Sequence, residues 1–354
     1  MSRIFIAGLG AVSPAGWTVA AMREALELGK TQPPQPVASS LERGGTPLMA
    51  HLVPAPAVRP QFLSHPRLRR TSPVTHYAAS AALEAMAGIS PAFLENARIG
   101  LIVCLQSGCV QYSCRFYDEA LKNPATASPL LFPETVYAAP ASHIATLLKN
   151  VTLVSSQVGD PSCFLSATAQ GAQWLEEGRV DLCLVIGAEE PNWITADALR
   201  YFDRTACISA GAGAVCLCRE VSSSLGVELT AITDAHTYST ANGRIPAAMA
   251  MRNQLDRFAS GSPSQPELLC DGLANSPRMD AAELAAWQNW TGPRLSPRRI
   301  LGQGLMAAAA WQCVAACDTL ANRRFKTANV SMVGFNQQAI GAKFQVIDSN
   351  ESAR

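Results

Sequence analysis

Cys163 is the one thiol in the stretch Ser155-Ser156-Gln157-Val158-Gly159-Asp160-Pro161-Ser162-Cys163, which leads from an apolar run into a helical pattern. A cysteine at a helix start gains acidity from the helix dipole and can serve as a nucleophile. Acyl transfer by such a thiol also needs a base and hydrogen-bond donors for the developing oxyanion. Cys163 lies about two positions inside the expected helix. Two readings are therefore open, an inert small core residue or a displaced nucleophile.

The elements that would position it can be read from the pattern. Val151–Ser155 reads as a strand. Asp160-Pro161 reads as an N-cap followed by proline at the first helical position, which predicts a helix over Pro161–Glu177. Leu182–Ile186 is a continuous apolar run of the kind buried on both faces. Before this unit come a strand at Ile4–Ala7, an amphipathic helix at Thr18–Leu28, a Pro-rich irregular loop over about 31–62, a helix at His76–Met86, a strand at Ile99–Val103 and a helix at Ala138–Leu148. After it, Gly211–Leu217 and Leu225–Thr233 read as strands separated by the turn Ser222-Ser223-Ser224. Alternation then resumes, with helices at Pro246–Phe258, Ala281–Trp290 and Gly302–Ala321 and strands at Glu267–Cys270, Val330–Val333 and Lys343–Ile347. Strands alternating with helices twice over indicate two α/β halves, residues 1–220 and 225–354, with mixed and mostly buried sheets.

Composition narrows the class. The 354 residues carry a net charge of +1, with 48% hydrophobic and only 16% charged residues. That suits closely packed layers with some surface given to a partner, and argues against nucleic-acid binding, which needs a basic excess. The compact basic run Arg67-Leu68-Arg69-Arg70 reads as a solvated patch or as a contact for a carrier protein and its phosphopantetheine. Met1-Ser2-Arg3 leads straight into a strand without a secretory signal, so a cytoplasmic location is expected. The longest apolar stretch, Gly304–Cys317, falls short of the about 20 residues of a spanning helix. The eleven cysteines sit mostly in apolar segments and are expected to be reduced. Cys104, Cys109 and Cys114 are evenly spaced but lack a nearby histidine or CxxC pair, so no metal is expected. Ser13 stands where a dinucleotide fingerprint needs its third glycine, and no diffusible cofactor is indicated.

Several segments together resemble the β-ketoacyl-acyl carrier protein synthases, the thiolase-fold condensing enzymes. IFIAGLGAVSPAGWTV is similar to their N-terminus, and EEGRVDLCLVIGAEE to their G-x-A-D-x-x-x-x-G-G-A-E strand. Tyr201-Phe202-Asp203 with Gly211-Ala212-Gly213-Ala214 resembles P-F-D…G-E-G-A. Thr233-Asp234-Ala235-His236 resembles S-D-A-x-H, and Val333-Gly334-Phe335 the start of F-G-F-G-G-T-N. The matches run in order from residue 4 to about 347. The resemblance implies an α/β thiolase-like fold, two similar βαβαβαββ halves giving an αβαβα layered sandwich.

In this family a cysteine at a helix start accepts an acyl group from the carrier protein, and two histidines assist decarboxylation and stabilise the enolate. Counting back along the helix puts the cysteine's equivalent at Pro161; counting forward from the strand puts it near Gln157. Chain-length factors of aromatic polyketide systems resemble the second pattern and carry Gln there. Leu269–Pro277 resembles N-A-H-G-T-S-T-P, with Asp271 in place of the first histidine. Arg298–Ala308 resembles K-S-x-x-G-H-x-x-G-A-A, with Arg298 for lysine and Gln303 for the second histidine. Phe335-Asn336-Gln337-Gln338 replaces F-G-G-T, losing glycines that let backbone amides approach an oxyanion. The five histidines (His51, His65, His76, His143, His236) stand at none of these positions. His236, the nearest to a matched motif, reads as a hydrogen-bonded structural residue before it reads as a base.

The resemblance thus implies a catalytically silent ketosynthase homologue, a chain-length factor, that heterodimerises with an active ketosynthase served by an acyl carrier protein. Val154, Ser155, Gln157, Phe164 and Phe335 would help form the interface and the acyl tunnel. The length, below that of ordinary ketosynthases, suits the shortened chain-length factors of aryl polyene clusters. Two other readings stand beside it: an acyltransferase using Cys163 with Asp271 as base, and a stand-alone acyl or carrier-protein binding module.

Overall fold

The computed structural model describes residues 3–37, 47–220, 224–258, 266–335 and 337–347. Ten strands form the path of the main sheet: β1 (Ile4–Val12), β2 (Ile99–Leu105), β3 (Val151–Val158), β4 (Leu182–Glu189), β5 (Gly211–Cys218), β6 (Val227–Ile232), β7 (Leu268–Cys270), β8 (Arg294–Leu295), β9 (Thr327–Val333) and β10 (Gln338–Val346). Their spatial order is β8-β7-β9-β10-β6-β1-β5-β4-β2-β3, and His236–Thr237 adds an eleventh strand beside β10. Each half repeats one permutation. The first strand pairs antiparallel with the fifth and the fifth antiparallel with the fourth; fourth, second and third run parallel. The halves meet where β1 pairs with β6 over Ile4↔Leu229 and Phe5↔Glu228. At one end of this path lies β3, eight residues long; at the other lies β8, two residues long.

The larger helices are α1 (Val19–Leu28), α2 (Pro73–Met86), α3 (Val110–Lys122), α4 (Ala139–Leu148), α5 (Cys163–Glu176), α6 (Trp193–Phe202), α7 (Arg244–Arg257), α8 (Pro277–Ala286) and α9 (Leu305–Ala321). Helix α9 touches β1, β4 and β5 of the first half and β7, β9 and β10 of the second, and α5 lies beside it. Every residue of α9 except Thr319 and Ala321 is buried, which its run of alanines permits and a charged face would forbid. Helices α2 and α4 cover the far side of the first half, and α7 and α8 that of the second. The result is the expected αβαβα sandwich, with one apolar cluster between the two half-sheets and one under each outer layer.

Two tertiary devices hold the layers. The Trp311 Nε1–H of α9 donates to the Val12 and Ala212 carbonyls, each at 3.0 Å, tying the middle helix to adjacent ends of β1 and β5. The buried Glu190 carboxylate accepts from Ser72 Oγ (2.5 Å), Val74 N (3.0 Å) and Gln111 N (2.7 Å), joining the N-termini of α2 and α3. Both helices lack a cap from their own N-cap side chain, so one carboxylate meets both positive ends.

The structure corrects several boundaries. The helix expected from Pro161 starts at Cys163, because the Asp160 side chain also reaches across to another loop. The strand expected to stop at Ser155 runs to Val158, since β2 continues to supply its hydrogen-bond partners. The helix expected from Gly302 begins at Leu305; Gly302 has φ 86° and Gln303 bridges to Ile208 instead. Part of the Pro-rich loop is ordered, with Gln35–Pro36, Met49–His51 and Ile208–Ser209 forming a small separate sheet. Residues 38–46, and Ser222 and Ser223 of the polar turn, lie outside the described residues. Helices α3 and α6 were not expected from the pattern.

Helix α2 sits so close to β1 that a side chain at Gly10 would collide with the Ala81 carbonyl, a backbone atom that cannot swing aside. Gly10→Val is expected to cost about 3 kcal/mol or more. A clear fall in the thermal midpoint, or loss of soluble protein, would show it; an unchanged melt would contradict this packing.

Candidate active site of a condensing-enzyme fold

The turn between β3 and α5 is where the fold presents its helix start. Asp160 is buried there. Its Oδ1 accepts from the Ser162 backbone N–H at 3.1 Å and from the Ser162 hydroxyl, while its Oδ2 accepts from Gln337 N at 3.2 Å. Gln337, in the β9–β10 hairpin, returns its Oε1 to Asp160 N (3.2 Å) and Cys163 Sγ (3.4 Å). Gly334 makes this possible, because a Cβ there would collide with the Asp160 carboxylate. Tyr238 Oη (2.5 Å) and Arg244 Nη2 (3.1 Å) both donate to the Gly334 carbonyl and fix the hairpin from behind. A carboxylate therefore occupies the positive end of α5 and takes up the backbone amides of Ser162 and Gln337.

Cys163 is the first residue of α5 and is half-buried. Burial, and next the neighbouring Asp160, push its thiol above the ordinary range, the opposite of what a nucleophile requires. None of the five histidines hydrogen-bonds to it: His51 contacts the Gln32 carbonyl, His76 the Leu68 carbonyl, His143 Glu134 and His236 Gln254. Pro161 is buried in the turn, and Gln157 lies within β3, its Nε2 donating to Gln170 Oε1 of α5 at 2.6 Å. Val154 is 50% exposed and Ser155 half-buried on the same strand. Phe164, expected at the tunnel or interface, points into the core of this chain. It is fully buried in the middle layer, because one step along α5 from half-exposed Cys163 turns a side chain inward.

The second cluster lies on the other half. Asp271, at the end of β7, is fully buried. Its Oδ1 accepts from Ser296 Oγ (2.5 Å) and Leu273 N (3.3 Å), and its Oδ2 from Arg294 Nη1 (3.3 Å). Burial raises its carboxyl, against the pull of Ser296, Leu273 and Arg294. Neighbouring Glu283 is pushed up as well, by burial first and Asp271 second. Asp271 is thus an anchored structural carboxylate with no hydrogen bond to Cys163, and the structure does not join the two as nucleophile and base. Arg298, on the short helix Pro297–Leu301, and Gln303 just after it are both buried. Gln303 is held by backbone bonds to Cys207 and Ser209, its Oε1 unpartnered.

A pocket of about 350 Å³ is lined largely by Val110, Ile194, Leu199, Phe202, Leu305 and Phe335, with Gln106 and Ser107 as its polar lip. That lip is shaped by Glu189, whose buried carboxyl accepts from Gln106 N (2.5 Å) and Ser107 N (3.2 Å). In the sequence Asp160 read only as an N-cap, Gln337 only as part of a segment that replaces glycines, and Glu189 only as the end of a matched strand; the bonds each makes were not foreseen, although two adjacent carboxylates closing a buried strand, Glu189-Glu190, could have drawn notice. Asn336 lies outside the described residues. No helix among the described residues is long and apolar enough to cross a membrane.

A five-layered sandwich with paired half-sheets and a helix start facing a closing hairpin defines the architecture of thiolase-like condensing proteins. Residues 1–220 match the family described as "Beta-ketoacyl synthase, N-terminal domain", and the chain belongs to the β-ketoacyl synthase family. Among solved structures it is similar to the ishigamide ketosynthase/chain length factor (TM-score 0.80, 16% identity, covering 98% of this chain and 100% of that one). It is likewise similar to a ketosynthase in complex with its chain length factor from Xenorhabdus doucetiae (TM-score 0.77, 15% identity, covering 98% of each chain). A β-ketoacyl synthase from Burkholderia phymatum matches with TM-score 0.77 and 16% identity over 98% of this chain and 100% of that one. These likenesses concern the fold. No curated protein sequence matches.

Burial raises the Glu189 carboxyl to about 8, with Glu190 adding to the rise and the Gln106 and Ser107 amides opposing it. Because its folded value lies above its unfolded one, the folded state holds the extra proton between about pH 4.5 and 8. Stability from this group is therefore full at the acid end and declines as pH rises through 8. Glu189→Gln keeps the acceptor and removes the titration. The variant is expected to lose less stability than the wild type between pH 5 and 8.5, by on the order of a few kcal/mol. Chemical denaturation at several pH values checks this; parallel curves would refute it.

Proposed function

We propose that this chain is the catalytically silent partner of an active ketosynthase, a chain-length factor that helps shape the partner's acyl tunnel. The observation that supports it best is the Asp160 carboxylate seated at the start of α5, with Pro161 beside it and Cys163 left with a thiol of raised pKa. Asp271 and Gln303 stand where the family's resemblance places histidines, and neither can shuttle a proton as imidazole does.

An available association surface accompanies the altered site. Strand β3 is an edge with one hydrogen-bonded neighbour, and it exposes Val154 (50%) and Val158 (55%). The segment joining β2 to α4 adds exposed Tyr117, Leu121, Leu130 and Phe132. An open apolar edge strand invites a strand from another chain. The structures compared above include ketosynthases with their chain length factors, and a further one has an acyl carrier protein in complex with its ketosynthase. On this reading the basic run Arg67, Arg69 and Arg70 offers a contact for an acidic carrier protein.

The chain, alone and with a neighbouring ketosynthase, would be incubated with acyl carrier protein bearing an acyl group and both chains weighed intact. Acylation is expected on the ketosynthase only. An adduct on this chain, mapped to Cys163, would sink the proposal and make it an acyltransferase. Val154→Glu with Val158→Glu is expected to weaken the heterodimer at least tenfold by sedimentation, with the circular dichroism of this chain unchanged. Undiminished association would remove β3 from the interface.

A further inference from the structure

Four consecutive residues at the end of β4, Glu189 to Asn192, each bond the segment that leads from β2 into α3. Glu189 accepts from Gln106 N and Ser107 N, and Glu190 from Gln111 N. The Pro191 carbonyl accepts from Gln111 Nε2 at 2.9 Å, and Asn192 Oδ1 from Cys114 Sγ at 3.7 Å. These residues form a clasp. Away from it, α3 packs mainly on the two short helical turns that follow, Pro124–Thr126 and Phe132–Glu134. None of its residues is buried, and Tyr117 and Leu121 are well exposed. Tyr137 Oη donates to the Gln106 carbonyl at 3.2 Å, and Glu134 meets His143 of α4 at 2.9 Å, which steadies the outer side.

Two of the four clasp residues are carboxyls buried side by side, Glu189 at 1% and Glu190 at 2% exposure. Among the described residues no cation pairs with either. The titratable groups that face them are Tyr77 of α2, Cys109, Tyr112 and Cys114 at the start of α3, and Tyr137 before α4. Arg115 faces Tyr112 and pairs with Glu119. Adjacent carboxylates without a counter-ion repel each other, and each is costly to ionise away from water. The amides of Gln106, Ser107, Gln111 and Val74 and the Ser72 hydroxyl favour the charged forms, yet burial outweighs them at both residues. Parting the segment from the clasp admits water to Glu189 and removes that cost.

We propose that residues 106–122 form a flap that parts from the body as the medium turns alkaline, with the Glu189–Asn192 clasp as its catch. The closed flap covers Cys109, only 2% exposed, and carries Tyr117 and Leu121 on its outer face. One proton thus governs how the apolar surface between β2 and α4 is presented. The Glu189 carboxyl sits at about 8 in the closed form and returns toward about 4.5 once hydrated. The closed form keeps a proton that the open form releases to water. Opening therefore grows as pH climbs between those values and levels off above, by up to about tenfold per pH unit. The inference concerns the isolated chain and does not rest on the silent-subunit reading.

The test reads the full chain by two probes. The first is iodoacetamide alkylation mapped by mass, comparing Cys109 with Cys313, which lies inside α9 and reacts only on global unfolding. At about pH 8 Cys109 is expected to react at least tenfold faster than Cys313. In Glu189→Gln, which keeps an acceptor for the Gln106 and Ser107 amides and cannot ionise, the Cys109 rate is expected to fall at least tenfold at the same pH. The second probe is hydrogen exchange at the Gln106, Ser107 and Gln111 amides, divided by the intrinsic rate at each pH. Their opening constant is expected to rise at least tenfold from about pH 6 to 8 in the wild type and to stay flat in the variant. Cys109 reacting no faster than Cys313 would overturn the proposal, since no flap would then open apart from unfolding. So would a pH dependence that survives Glu189→Gln. Should that variant fail to fold, the wild-type thiol comparison and the wild-type exchange profile still decide.

Discussion

The constraint on which everything else rests is a helix with almost no solvent face. Helix α9 lies between two half-sheets and is enclosed by both. Such an element must be apolar all round and slim enough for strands to approach from opposite sides, which explains alanine at Ala307, Ala308, Ala309 and Ala310 and again at Ala315 and Ala316. Its few polar atoms are then obliged to bond specific strand carbonyls. Trp311 does this toward β1 and β5, and the Gln312 Nε2 donates to the Ser331 carbonyl of β9 at 3.0 Å. The helix therefore aligns the halves by hydrogen bonds as well as by shape. Both the α5 start and the hairpin that faces it inherit their positions from that alignment.

Given that frame, the turn before α5 can hold either a reactive group or a strut. Here it holds a strut. Asp160 bonds its own helix start and the Gln337 amide together, and Gly334 leaves room for it. The backbone amides of Ser162 and Gln337 are satisfied by that resident negative charge. The result is a locked contact between the two halves.

Much of the architecture was legible because buried strands and helices declare themselves. Leu182–Ile186 and the alanine-rich stretch ending at Ala321 carry little polar content, and they proved to be β4 and α9. Helix α3 went unseen although it is amphipathic: none of its residues is fully buried, and its aromatic residues are interspersed with polar ones. Strand β3 was cut short because Ser156 and Gln157 are polar, yet an edge strand needs only one satisfied side. At the site, the altered identities at Asp271, Arg298 and Gln303 were readable, but their circumstances were not. That Asp160 bonds a residue 177 positions away, or that Arg298 keeps a buried Nε with no hydrogen-bond partner among the described residues, depends on which loops the fold brings together. Local pattern does not encode such meetings.

The two ends of the main sheet are unequal, and this governs what the chain can build. The path ends in an eight-residue strand on one side and a two-residue strand on the other. A strand partner arriving at β3 finds a full ladder to continue, while one arriving at β8 finds almost none. Growth by strand addition is thus possible in one direction only. Joined edge to edge through the main sheet of the described residues, two such molecules form a closed pair and not a filament, because the contact uses up the long edge of each.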